Sequence, residues 1–74
     1  MLDPEMLGYV NEVSLETFIS KHGTPKCVQE IGKFIVLFMD ELTEDYLKDH
    51  PGKNPKQFRK VIGKPVALMI KTLL

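Results

Sequence analysis

Residues 28–42 read VQEIGKFIVLFMDEL, and this stretch does most to decide the fold. Apolar residues recur in it at three- and four-residue spacing, which is the pattern of one helical stripe. The stripe consists of Val28, Ile31, Ile35, Phe38 and Leu42. Other apolar residues between 34 and 39 point in the remaining directions, so a helix here must be covered on every side. Either it is the central helix of the domain, or part of it faces another molecule.

Helix starts are marked by dipeptides in which a capping residue precedes proline: Asp3-Pro4, Thr24-Pro25 and Asn54-Pro55. Proline suits the first helical position because its missing N–H would be unpaired there anyway. Ser14 and Thr43 are each followed closely by acidic residues and indicate two further starts. Gly23 and Pro51-Gly52 indicate helix ends. We therefore expect a short helical turn at 4–9 and helices near 14–22, 25–31, 33–41, 43–50 and 55–73.

The centre of the chain leaves alternatives open. A single helix over 25–49 would crowd acidic residues at its negative end, so we predict a break at Leu42-Thr43. Gly32 either divides 25–31 from 33–41 or lies inside one longer helix. The run Phe34–Phe38 also has high β-propensity, but Gly8-Tyr9-Val10 is its only candidate strand partner. A mixed α/β fold is therefore the less favoured alternative.

These signals together predict an all-α fold, a compact bundle of four to five short helices with a longer C-terminal helix. That helix is expected to be kinked or broken near Gly63-Pro65, because proline removes a backbone hydrogen bond. The 74 residues make one helical domain over 1–74, with 1–13 as a partly ordered arm. The one cysteine, Cys27, forms no disulfide framework and no zinc pattern with His22 and His50. We expect no metal and no other cofactor.

Location is indicated by what the N-terminus and the apolar runs lack. Met-Leu-Asp-Pro-Glu is not a signal peptide, because an acid comes early and no apolar run follows. The longest apolar run covers residues 34–39, whereas a membrane span needs about 20 residues. We expect no membrane partner and a cytoplasmic or nuclear location, which a lone cysteine also favours. Whether the chain is a whole protein or an excised domain stays open.

Charge is sorted along the chain. Residues 1–49 carry all ten acids and four lysines, a formal charge of −6, and residues 50–74 carry no acid and a formal charge of +6. The acids that we expect to bind a partner are Asp40, Glu41, Glu44, Asp45 and Asp49. The matching basic residues are Lys53, Lys56, Arg59, Lys60 and Lys64. Such a division suits attraction between two halves, two copies, or the chain and a charged partner.

Apolar residues also dominate Pro65–Leu74. Packing along the domain is the favoured interpretation, and an open side would instead suit a partner helix. Val66, Met69 and Leu73 are the candidates for such an apolar interface. A less favoured hypothesis is that the chain is a small inhibitor or regulator, which caps a host enzyme with the Pro65–Leu74 helix.

Catalysis is not expected. Cys27 and His22 are the right types for a nucleophile and its base, but nothing in the sequence brings them together. There is no glycine-rich phosphate loop and no carboxylate pair in an apolar setting. We therefore expect neither an enzyme nor a small-molecule substrate.

Nucleic acid is the alternative partner, bound through the basic segment 53–64. The neutral net charge counts against it, as does the presence of only one aromatic residue, Phe58, among the lysines. Residues 15–32 fit a helix-turn-helix poorly, since Gln29 and Gly32 fall where apolar residues should pack.

From Val13 to Leu74 the chain resembles a sterile alpha motif domain. The likeness rests on Ser14-Leu15-Glu16-Thr17-Phe18, on Gly23 after the first helix, on Leu42–Asp49 as the opening of a fourth helix, and on Arg59 near the start of a long last helix. The resemblance implies five helices and self-association or pairing with a relative. It also implies docking of an acidic mid-chain surface on the basic start of the last helix, and for a few members binding of RNA.

The function predicted from the sequence is thus a non-catalytic protein-interaction or regulatory module. It would act on a protein partner or form a homo-oligomer through the acidic surface, the basic surface and surplus apolar helix. Head-to-tail docking of acidic on basic surfaces would be a heterologous contact, which can grow into rings or filaments.

Overall fold

A computed structural model describes residues 4–73, apart from the side chain of Leu73. The four helices of this part are α1 (Pro4–Leu7), α2 (Glu12–His22), α3 (Val28–Asp49) and α4 (Pro55–Leu73). The all-α prediction is confirmed: no strand occurs within residues 4–73, so the run 34–38 is helical. The predicted start at Asp3-Pro4 rests on Asp3, which lies outside the described residues.

The predicted break at Leu42-Thr43 is wrong, because α3 is one helix of 22 residues. Gly32 lies inside this helix, which is one of the two alternatives left open for it. Thr43 does not cap a new helix. It is buried, and its hydroxyl donates to the carbonyl of Met39 at 2.6 Å, one turn earlier in the same helix. Three of the acids expected to oppose the helix dipole have polar partners outside α3: Arg59 for Asp40, His22 for Glu41 and Tyr9 for Asp49. Burial of the apolar stripe then outweighs the remaining dipole penalty.

Of the starts of α2, α3 and α4, the first two differ from prediction and the third agrees. At α2 the N-cap is Asn11, whose side chain accepts from the backbone N–H of Ser14 at 2.9 Å, while the Ser14 hydroxyl accepts from the Asn11 N–H. Ser14 is thus the third residue of a capping box and not its start. α3 begins at Val28, three residues after Pro25. α4 begins at Pro55 as predicted, with Asn54 accepting from the N–H of Lys56 at 2.9 Å.

Glycine ends α2 as predicted, and Gly23 and Gly52 take positive φ values of 79° and 93°. α4 passes through Gly63 and Pro65 as one helix, so it is not broken there. A kink at Pro65 stays a prediction.

The core is built on one stripe of α4, in which Phe58, Ile62, Val66 and Ile70 recur every fourth residue with 0% exposure. α4 packs on α3, and the ring of Phe58 stacks on Tyr46 with a centroid separation of 4.4 Å. α2 packs on α3 through Phe18, which contacts both Phe34 and Phe38. α1 packs on α4 and buries Met6. Since α2 lies mainly on α3 and α1 mainly on α4, a groove remains between α2 and the end of α4.

Candidate functional site

The acidic residues predicted to bind a partner lie on the second half of α3, and most of them already have a partner within the chain. Asp40 forms an ion pair with Arg59 at 2.8 Å, and Glu41 contacts Nε2 of His22 at 2.9 Å. Asp49 accepts a hydrogen bond of 2.6 Å from the hydroxyl of Tyr9. The acidic surface is therefore partly occupied by contacts inside the fold.

Glu44 and Asp45 differ from the other three acids. Both are exposed, and within residues 4–73 neither makes an ion pair. Two carboxylates thus stay available to a partner in the segment where the sequence suggested five.

Tyr9 binds one of the predicted acidic residues, Asp49, within the chain. Its hydrogen bond to Asp49 is the main reason that its pKa is raised to about 12, with partial desolvation of Tyr9 and the negative charges of Asp49 and Glu5 adding to the effect. The ring of Tyr9 lies edge-on to Tyr46 and to Phe58, at 5.5 and 5.8 Å between centroids. This contact joins the turn after α1 to the end of α3.

The basic residues lie at the start of α4 and on the loop before it. Lys53, Lys56, Lys60 and Lys64 are exposed, and no ion pair involves them within residues 4–73. Lys56 and Lys60 border a shallow depression that also contains Gln57. Arg59 is the exception, since it forms an ion pair with Asp40. Within the described residues, this is the single ion pair between the predicted acidic and basic sets.

The three apolar interface candidates have different outcomes. Val66 is 0% exposed, because its position on the core stripe of α4 turns it inward, so it is not on the surface of the described fold. Met69 is half-buried and lines the groove between α2 and α4. The side chain of Leu73 lies outside the described residues.

An exposed apolar patch on the first half of α3 was not assigned to a surface from the sequence. Val28, Val36 and Leu37 are 83%, 57% and 49% exposed. Val36 and Leu37 line a shallow apolar depression together with Gly32 and Lys33. We call Val28, Gly32, Val36 and Leu37 the α3 patch. The available signal was the all-round apolar character of 34–39, which left open that one side faces another molecule.

The groove between α2 and α4 is the second apolar surface. Its floor is formed by Leu15 and Ile19 of α2 and Met69 of α4, and its edges carry Glu12, Glu16 and Thr72. Leu68 is 65% exposed and adjoins the groove, because it lies one helical turn before Thr72. The hydroxyl of Thr72 donates to the Leu68 carbonyl at 2.9 Å, which fixes this turn.

Groups with catalytic or ligand chemistry are sparse. Cys27 is exposed at the N-cap of α3, while His22 stacks on Phe18 and binds Glu41. Among the described residues, no cluster of three or more His, Cys, Asp or Glu side chains could hold a metal ion. No helix in residues 4–73 combines the length and the apolar character needed to cross a bilayer.

No family model matches this chain, and neither does any curated protein or solved structure.

Proposed function

We propose that this chain is a non-catalytic protein-interaction module. The observation that carries the proposal is the α3 patch, in which the three large apolar side chains Val28, Val36 and Leu37 stay exposed. Full burial of a fully exposed side chain of this size is worth roughly 1.5–3 kcal/mol, and these three would gain the part that corresponds to their remaining exposure. Contiguous exposed apolar surface on a small domain is typical of a binding site for another protein.

Charge supports the same proposal and gives the contact a direction. The exposed lysines of the basic surface have no acidic partner in the described chain, and Glu44 and Asp45 are also unpaired. Such groups at the edge of an interface set orientation and association rate, and their effect weakens as salt is added. The resemblance to sterile alpha motif domains favours the same class of function. The exposed single thiol favours a reducing compartment, the cytoplasm or the nucleus.

Photo-crosslinking from defined positions tests this function. A photoreactive amino acid replaces Val36 in one preparation and Val13 in another, since Val13 is also exposed but lies on α2, outside both apolar surfaces. We expect adducts with a protein, either a second copy or a different chain, from position 36 and few from position 13. Leu37 and Leu68, which are also exposed, are replaced in two further preparations. If positions 36, 37 and 68 all fail to give a protein adduct in a lysate of the source cells, the proposed function is wrong.

Nucleic-acid binding is the second candidate, and the unpaired lysines at the start of α4 are the observation that favours it. A helix N-terminus adds backbone N–H groups that can face phosphate. Gel shifts with mixed RNA and DNA at physiological salt test it. Binding that is unchanged in the Lys56→Ala, Lys60→Ala, Lys64→Ala triple variant would reject this candidate.

A further inference from the structure

The groove between α2 and α4 and the exposed side chain of Leu68 are two apolar features on the same part of the molecule. The groove is an open apolar channel over Leu15, Ile19 and Met69. Leu68 projects next to it and is 65% exposed, so its side chain does not fill the groove of its own chain. A single molecule therefore presents both an apolar cleft and an apolar side chain of the kind that fills one.

The charges around these two features are also complementary. Glu12 and Glu16 lie at the edge of the groove, one helical turn apart on α2, and neither forms an ion pair within residues 4–73. Lys64 and Lys71 lie four residues before and three residues after Leu68, on the same side of α4. Residues 55–73 contain no acid, so these lysines cannot pair along their own helix. The two glutamates therefore lack a positive partner, and the two lysines lack a negative one, so each pair could serve as the partner of the other.

These observations select the occupant of the groove. A nucleic acid is disfavoured because the groove edge is negative. The lysines beside Leu68 are opposite in sign to that edge. A second copy brings the apolar side chain and both lysines together. Two copies can make this contact twice around one two-fold axis, because Leu68 with its lysines and the groove with its glutamates adjoin on the same surface.

We propose that two copies of this chain form a two-fold dimer in which Leu68 of each copy enters the α2–α4 groove of the other. Lys64 and Lys71 of each copy then face Glu12 and Glu16 of the other. This inference rests on the proposed interaction function and adds to it a second contact surface, with a second copy of the chain as the partner. It uses the α2–α4 groove and leaves the α3 patch free, so the two claims can fail separately.

Charge reversal with mixing is the decisive experiment. Two double variants are made in the full chain, Glu12→Lys with Glu16→Lys, and Lys64→Glu with Lys71→Glu. Mass is measured by sedimentation equilibrium across concentration at low and high salt, and circular dichroism checks that each variant is folded. Wild type is expected to dimerise less tightly as salt rises. Each double variant alone is expected to dimerise at least about tenfold more weakly.

An equimolar mixture of the two double variants is expected to recover the dimer. Every charged contact in the mixed pair joins opposite signs again, both where two reversed pairs meet and where two unchanged pairs meet. Leu68→Asp is expected to weaken the wild-type dimer by a similar factor, whereas Val13→Asp, at an equally exposed site outside the groove, leaves it unchanged.

Three results would overturn the inference. The first is a wild-type chain that stays monomeric at millimolar concentration in low salt. The second is a dimer that none of the groove variants weakens. The third is a mixture in which both variants stay monomeric. If the dimer is instead weakened by Val36→Asp with Leu37→Asp, the contact lies on the α3 patch, and the interaction function stands while the groove assignment falls.

Discussion

At the scale of single residues, Tyr9 connects parts of the chain that the sequence could not relate. Its hydroxyl bonds Asp49, 40 positions away, and its ring contacts Phe58 on α4. Local signals predicted the cap at Asn54 because such a cap depends only on the next few residues. They misassigned Ser14, since Asn11 offers an equally good capping side chain one turn earlier. No local pattern reports a contact between distant residues, so the Tyr9–Asp49 bond could not be predicted.

Replacing Tyr9 by phenylalanine tests this bond. The variant keeps the ring contacts and loses the hydrogen bond, so we expect a stability loss of about 0.5–1 kcal/mol at pH 8, because the bond is on the surface. The pKa of Tyr9 is about 12 in the folded chain and 10.0 as its ordinary value, so above pH 10 the unfolded chain loses the proton first. The stabilisation is thus present below pH 10 and is lost as pH rises toward 12.

Urea denaturation of wild type and Tyr9→Phe at pH 8, 10 and 11.5 measures this difference. The gap between their unfolding free energies is expected to shrink as pH rises. Lysines also titrate in this range, but they are common to both chains and cancel in the comparison. A gap that is constant or grows with pH would show that the Tyr9 hydroxyl does not bond Asp49.

At the scale of helices, α3 is where the expected break at Leu42-Thr43 fails. The helix dipole made that break reasonable, whereas Gly32 was open to either interpretation. Helix boundaries, however, are decided by burial of the whole stripe and by polar partners on other elements. Leu42 is buried in the core, and Asp40 and Glu41 are paired with Arg59 and His22. The helical class of the segment was predictable from its period, whereas its continuity depends on α2 and α4.

Two glycine substitutions test the continuity of α3. Gly32 lies inside the helix with nothing within 4 Å of an added Cβ, so Gly32→Ala should stabilise the fold by about 0.5–1 kcal/mol. Gly23 is the matched control: its φ of 79° and ψ of 180° are available essentially to glycine alone, so Gly23→Ala should destabilise by about 1–3 kcal/mol. Thermal melts followed by circular dichroism give both values. Destabilisation by Gly32→Ala would mean that α3 is interrupted there.

At the scale of the whole molecule, the two long helices α3 and α4 determine its elongated shape and leave part of α3 uncovered. A helix of 22 residues is about 33 Å long, which matches the longest extent of the domain, 36 Å. The first half of α3 is left only partly covered, and this is where Val28, Val36 and Leu37 remain exposed. Composition predicted a surplus of apolar helix. It could not predict which face stays open, because that depends on how α2 and α4 pack.

Two substitutions on α4, one at a buried and one at an exposed residue, test how far the stability of the fold depends on its core. Ile62→Ala removes a 0% exposed side chain and is expected to cost about 2–5 kcal/mol. A loss of this size is comparable with the whole stability of a small domain, so much of the variant should be unfolded at 37 °C. Leu68→Ala, at a 65% exposed site, is expected to change stability by less than about 0.5 kcal/mol.

Urea denaturation at two micromolar concentrations measures both variants, and agreement between the two concentrations shows that association does not contribute. Similar losses for the two substitutions would mean that Leu68 is packed inside the monomer. The proposed dimer contact would then lose its central side chain.

The position of Cys27 makes the untouched chain a convenient probe of its own surface. It is the only cysteine, it is exposed, and it is followed directly by Val28 of the α3 patch. A maleimide dye or nitroxide attached to the native thiol would therefore sit at the edge of that patch without any mutation. Its emission or spin mobility would change when a bound molecule covers the first turn of α3, and would stay constant when binding takes place only in the groove beside α4.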